Sequence, residues 1–188
     1  TLEMTQPRIK SMNLFLFMLL VAFLTAMGGE IKFIPFEDGP FRFGLGSIIF
    51  FFALLIRPLP IISTGLLTGM VVIIGRSLLD LIIYGQALPV QLLEHLPAGF
   101  FYITFALCFK FISLDELKKQ PLVLGLLGAL FEVISNIVEY VLTELLLISD
   151  QEMLISFLLF IIVGLLRSFF VVGIYSIITM SEQKKQLK

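Results

Sequence analysis

Charge is scarce in this sequence. Asp, Glu, Lys and Arg make up 14% of its 188 residues, while 59% are hydrophobic. Ordinary soluble domains carry about a quarter charged residues. So few charges cannot cover this much apolar surface in water, and lipid is the expected solvent. Cysteine is nearly absent too. Cys108 stands alone inside an apolar run, which excludes a disulfide framework and a cysteine metal site. The single histidine, His95, sits beside Glu94 between apolar runs and reads as a solvated side chain. The chain has no phosphate-cradling glycine loop, no Gly-x-Ser-x-Gly elbow and no His-Glu-x-x-His pair. Hydrolytic and phosphoryl-transfer chemistry is therefore not expected within these residues, and no cofactor or metal is implied. No basic patch of the nucleic-acid-binding kind occurs. The first apolar run lacks a small-x-small cleavage signal and more runs follow, so it reads as a retained helix.

What is present is a series of long apolar runs. A helix satisfies its own backbone in hydrocarbon, and about 20 residues cross the core. Six candidate spans follow: about Met12 to Met27, Phe43 to Ile56, Leu59 to Ile83, Pro97 to Ile112, Pro121 to Leu147 and Glu152 to Met180. Pro97 is read as a helix start. The fold class expected is all-α: a polytopic six-helix bundle over residues 1–180, with a polar tail at 181–188.

Basic residues orient such a bundle. One set of ends carries Arg8, Lys10, Arg57, Lys110, Lys118, Lys119, Lys184, Lys185 and Lys188, whereas the other carries only Lys32 and Arg42. Both termini are therefore expected in the cytoplasm of a bacterial cell, in a multi-pass plasma-membrane protein. The outer side then holds Gly28–Gly44, Tyr84–Leu96 and the acidic turn Ser149-Asp150-Gln151-Glu152. The first of these, GGEIKFIPFEDGPFRFG, is too long and aromatic for a tight turn. Pro35 and Pro40 stiffen it, and Phe33, Phe36, Phe41 and Phe43 need an apolar surface to rest on. It reads either as a lid over the bundle or as an interfacial segment dipping into headgroups.

Polar side chains inside spans are costly unless paired, hydrated or turned inward. The third span holds Arg76 and Asp80, the fifth Glu132, Asn136, Glu139, Tyr140 and Thr143, and the sixth Arg167. Spacings of three and four place the fifth-span set on one helix face. At about 1.5 Å per residue, Arg76 and Glu139 lie roughly 25 and 27 Å from the inner end, and Glu132 and Arg167 roughly 16 and 20 Å. Two opposite-charge pairs at matched depth follow, Arg76 with Glu139 and Glu132 with Arg167. Both pairs could be inert internal staples. Alternatively the upper set forms the floor of an outward-facing pocket. There Arg76 would take a carboxylate, Glu139 or Asp80 an ammonium, and Asn136 and Tyr140 would orient the ligand. Glu30, Lys32 or Arg42 of the opening segment would reach it from above. The deeper Glu132–Arg167 pair fits the staple role better.

Residues 28–80 resemble the membrane-embedded N-terminal region of sensor histidine kinases of bacilli and clostridia, the glutamine-sensing type. The resemblance rests on Gly29-Glu30, Pro35-Phe36, Phe41-Arg42-Phe43, Leu59-Pro60, Gly65, Gly69 and the Arg76…Asp80 ending. It implies an input domain that binds a small amino-acid-like solute, forms a homodimer and passes a signal down the sixth helix. Such kinases continue into a phosphoacceptor helix and an ATP-binding domain, which residues 1–188 do not contain. The tail from Met180 to Lys188 is rich in helix formers, so it reads as the start of a signalling helix or as a basic anchor. Thr1 in place of a starting methionine is what a fragment or a processed or trimmed chain would be expected to show. The six-span layout also resembles the substrate-capture subunits of energy-coupling-factor transporters, whose first helix carries Ala-x-x-x-Ala. Ala22 and Ala26 match that spacing and would dock on a transporter scaffold subunit. A third reading is an accessory membrane protein with no ligand and its opening segment flat on the bilayer.

Overall fold

The computed structural model describes residues 6–33, 43–85, 87–146 and 153–186. Its elements are α1 (Gln6–Glu30), β1 (Lys32–Phe33), β2 (Phe43–Gly44), α2 (Gly46–Ile56), α3 (Ile61–Tyr84), α4 (Leu88–Lys110), α5 (Leu114–Leu117), α6 (Pro121–Leu145) and α7 (Met153–Gln186). Five of the described helices are long and apolar enough to cross a membrane. Large apolar side chains such as Phe23, Leu66, Leu126 and Phe170 stay outward-facing and exposed, as a lipid-facing surface requires.

The second expected span is the exception. α2 has 11 residues, about 16 Å at helical rise, too short to span alone. Arg57-Pro58-Leu59-Pro60 continues it, with Arg57 extended at φ −140°, ψ 138°. Two prolines remove two backbone donors that would otherwise need partners there. The reach of helix plus linker is close to 30 Å, at about 3.3 Å per extended residue.

The second correction concerns α4. It begins at Leu88, not Pro97, so Pro97 lies inside the helix and Pro89 sits in its first turn. The expected outer loop over Tyr84–Leu96 shrinks to a tight connection. α3 stops at Gly85, left-handed at φ 67°, whose N–H donates to the Leu81 carbonyl at 3.0 Å. Gln91, Glu94 and His95 break the apolar run, which hid this helical stretch from a hydropathy reading.

α1, α3, α4, α6 and α7 pack in that order, and α2 contacts both α1 and α7, closing the ring. α2 also leans inward. Phe51 meets Phe105 edge-on at 5.8 Å, and the row continues through Phe109 to Phe131 at 5.1 and 4.9 Å. Phe50, Phe51, Phe105 and Phe109 are all but completely buried. Each such aromatic pair adds about 0.5–1.5 kcal/mol beyond its buried area. Small residues bring α3 against α4. A β-carbon on Gly69 would stand 2.8 Å from the Gly99 carbonyl, closer than packing allows.

The opening segment closes on itself at its ends. β1 and β2 pair antiparallel, Lys32 opposite Gly44 and Phe33 opposite Phe43. The Leu45 N–H donates to the Gly28 carbonyl at 3.0 Å. Residues 34–42, with Pro35, Phe36, Pro40, Phe41 and Arg42, lie outside the described residues, as does the acidic turn at 149–152.

Candidate functional site

Beneath these paired ends the bundle holds a cavity of about 280 Å³. α3 contributes Arg76, α6 contributes Asn136 and Glu139, and α7 contributes Arg167. Phe101 and Tyr102 of α4 form an aromatic side, and Gly29, Gly44, Gly46 and Ser47 line the side nearest the opening segment. The cavity is polar inside a bundle that is largely apolar. Its walls hold two guanidinium groups and one carboxylate.

Each arginine is held by a carboxylate, in different ways. Arg167 Nη1 donates to Glu132 Oε1 at 2.7 Å, and the Ser47 hydroxyl donates to the same oxygen at 2.8 Å. The Glu132 side chain is 2% exposed. The Asn136 amide donates to the Glu132 backbone carbonyl at 2.8 Å, which ties the side chain back to its own helix. Arg76 Nε lies 2.9 Å from Glu30 Oε1. The carboxylate sits off the N–H direction, so the contact is an ion pair and Nε gains no hydrogen bond from it. Glu30 is 41% exposed and Arg76 only 11%. Gly29 makes the approach possible, because a β-carbon there would overlap Arg76 Nη2.

Of the residues singled out in the sequence, the fold gathers Arg76, Asn136, Glu139 and Arg167 at one cavity, with Glu132 behind Arg167 and Glu30 on Arg76. The partner of Arg76 in the recorded ion pair is Glu30, where the matched depths had suggested Glu139. Asp80 does not line the cavity. One turn beyond Arg76, it meets His95 Nε2 at 2.6 Å, because the early start of α4 brings that ring across from α3. His95 is thus a paired side chain, 18% exposed, where solvation was expected. Tyr140 also turns away. One position after Glu139, it is rotated about 100° around the helix and packs on Phe160 of α7 at 6.3 Å. Arg42 lies outside the described residues. Ala22 and Ala26 are 0% and 5% exposed, covered by the chain's own helices.

The sequence reading missed Ser47, Phe101 and Tyr102. A lone hydroxyl in the apolar run after Gly46 was the available signal for Ser47. Nothing separates Phe101 and Tyr102 from the surrounding aromatics without the α4 register. Gly46 belongs with Tyr102, since a β-carbon there would overlap the phenol oxygen. Among the described residues no group of three His, Cys, Asp or Glu side chains could hold a metal ion. The donor set suits an organic ion. Two guanidiniums offer planar, multi-donor grips for a carboxylate, and Glu139 offers an acceptor for an ammonium.

No family model and no solved structure matches the chain. A curated relative does. Over 166 residues, 86% of this chain, it is 30% identical to the sensor histidine kinase GlnK of Bacillus subtilis (strain 168). The chain spans 40% of that protein's length.

Proposed function

We propose that these residues form the membrane-embedded, ligand-sensing input region of a sensor histidine kinase, in a bacterial plasma membrane. The ligand is a small amino-acid-like solute that enters from the outer face. The observation that carries the reading is the cavity itself: two largely covered guanidiniums and a carboxylate lining one hollow of an apolar bundle, whose charges would be a needless cost in a purely structural core. Similarity to a sensor histidine kinase over 86% of the chain supports it. The excess of basic residues at the opposite helix ends favours an outward-facing cavity.

A zwitterion fits the donor set. Its carboxylate goes to Arg76 with help from Arg167, its ammonium to Glu139, and a polar side chain to Asn136 or Ser47. Water displaced by the bound ligand strengthens each charged contact. Transmission has a direct path, because α7 carries Arg167 and runs on unbroken to Gln186. From Arg167 to that end is about 28 Å along one helix. A ligand that shifts Arg167 biases the position of this rod, and binding selects between two bundle states.

The test is binding by the purified chain in lipid nanodiscs, with L-glutamine first and the other amino acids after it. Saturable binding that Arg76→Ala weakens by about 10- to 100-fold, as expected for losing a charged hydrogen-bonded contact, supports the reading. The proposal fails if no amino acid binds. It also fails if Arg76→Ala and Glu139→Ala both keep wild-type affinity.

A further inference from the structure

A second cavity, about 260 Å³, opens on the side of the bundle between α1, α2 and α7. It exists because α2 leans into the core and leaves its neighbours standing proud. α2 forms the floor with Ile49, Phe52 and Ile56, while Phe17 and Leu20 of α1 face Ile174 of α7 across it. Every lining side chain is apolar, so in a bilayer neither water nor a polar solute fills it. Left empty, its walls would forfeit dispersion contacts. From Ile48 to Ile56 the groove follows α2 for about 12 Å, the shape of one extended hydrocarbon chain.

One end of the groove carries a charge. Arg57 follows Ile56 directly, and its guanidinium lies 4.7 Å from the centroid of the Phe17 ring. Among the described residues no carboxylate comes within ion-pair distance of it. The contrast is with Arg76 and Arg167, which have carboxylates at 2.9 and 2.7 Å. The guanidinium carbon sits over the ring, a contact that consumes none of its N–H donors in a hydrogen bond. An apolar slot that ends at a cation is complementary to an acyl chain that ends at an anion. We propose that this groove binds an anionic phospholipid, with one acyl chain along α2 and the headgroup phosphate on Arg57. The site is separate from the polar cavity and does not depend on what that cavity binds.

The chain has no tryptophan, so one introduced residue reports on the groove alone. Leu20→Trp suits this, since Leu20 is a wall residue already 51% exposed. The protein is reconstituted in vesicles of phosphatidylcholine mixed with phosphatidylglycerol, and one lipid at a time carries brominated chains that quench tryptophan. Quenching several-fold stronger by the brominated phosphatidylglycerol is expected. That preference should disappear in Leu20→Trp combined with Arg57→Gln, and be absent in Leu166→Trp, whose side chain faces outward beyond the groove. Equal quenching by both lipids would overturn the site. So would a preference that survives Arg57→Gln, or a tryptophan neither lipid reaches because a second copy of the chain covers it.

Discussion

The two arginines of the polar cavity are a natural pair of opposites. Arg167 meets a carboxylate that is 2% exposed and that also accepts from Ser47, so three helices converge on one oxygen. Arg76 meets a carboxylate that is 41% exposed, at the last residue of α1, and without hydrogen-bond geometry. The first pair is made like a staple and the second like a contact that can be exchanged. A buried pair returns its desolvation cost only when geometry and additional hydrogen bonds are good, and Glu132 has both. Glu30 can leave Arg76 and find water. A ligand carboxylate that enters the cavity would therefore compete with Glu30 for Arg76, whereas Glu132 has no comparable exit.

The sharpest way to break this contrast is to remove each pair in turn. Glu132→Ala leaves the Arg167 guanidinium without its carboxylate inside the bundle and orphans the Ser47 hydroxyl. A loss of about 3–5 kcal/mol is expected for such a buried pair, read as a large drop in the thermal midpoint in detergent. Arg76→Ala should keep the midpoint within a few degrees while ligand affinity falls about 10- to 100-fold. If the two variants were equally unstable, the cavity would be one structural network and the distinction between the arginines would vanish.

Much of this architecture is legible in the sequence, for a physical reason. Hydrocarbon makes every charge expensive, so the few charges inside apolar runs mark the bundle interior before any contact is known. Counting residues from the span ends puts Glu132 and Arg167 at matched depth, and their side chains meet at 2.7 Å. Depth counting has no information on rotation, which is why Asp80 and Tyr140 read as pocket residues although they turn to His95 and Phe160. Hydropathy also misjudged polar helix. The stretch Leu88 to Leu96 looks like a loop because Gln91, Glu94 and His95 interrupt it, yet Gln91 is fully buried and His95 is paired with α3. α2 was misjudged in the opposite direction. Its composition is that of a span, but the linker prolines end it after 11 residues.

Gly29 sharpens the comparison at the level of one methyl group. Arg76 lies across this residue so closely that a β-carbon would overlap Nη2. Gly29→Ala should push the guanidinium off its position and lower ligand affinity by roughly 10-fold, a displacement effect smaller than deleting the charge. Stability should change little, because the far end of a flexible side chain can move aside. A matched Gly44→Ala is the control. Its β-carbon would stand 3.8 Å from Arg167 Nη2, ordinary contact distance, so affinity should hold.

The smallest expected effect is the most informative about mechanism, because its sign separates two roles for one residue. If Glu30 grips the ligand directly, Glu30→Gln weakens binding. If Glu30 occupies Arg76 until a ligand carboxylate displaces it, the same change removes a competitor and tightens binding. The geometry favours the second outcome. The carboxylate is already against the guanidinium at 2.9 Å, so an arriving anion meets a group of its own sign at the place it must enter. Glu30 is part-exposed and the exchange is screened, so a tightening of only about two- to five-fold is expected, measured by titration in nanodiscs. The gain should disappear in Glu30→Gln combined with Arg76→Ala, since a competitor matters only while its target is present. Weaker binding by Glu30→Gln alone would place Glu30 among the ligand's own contacts and remove the exchangeable half of the comparison.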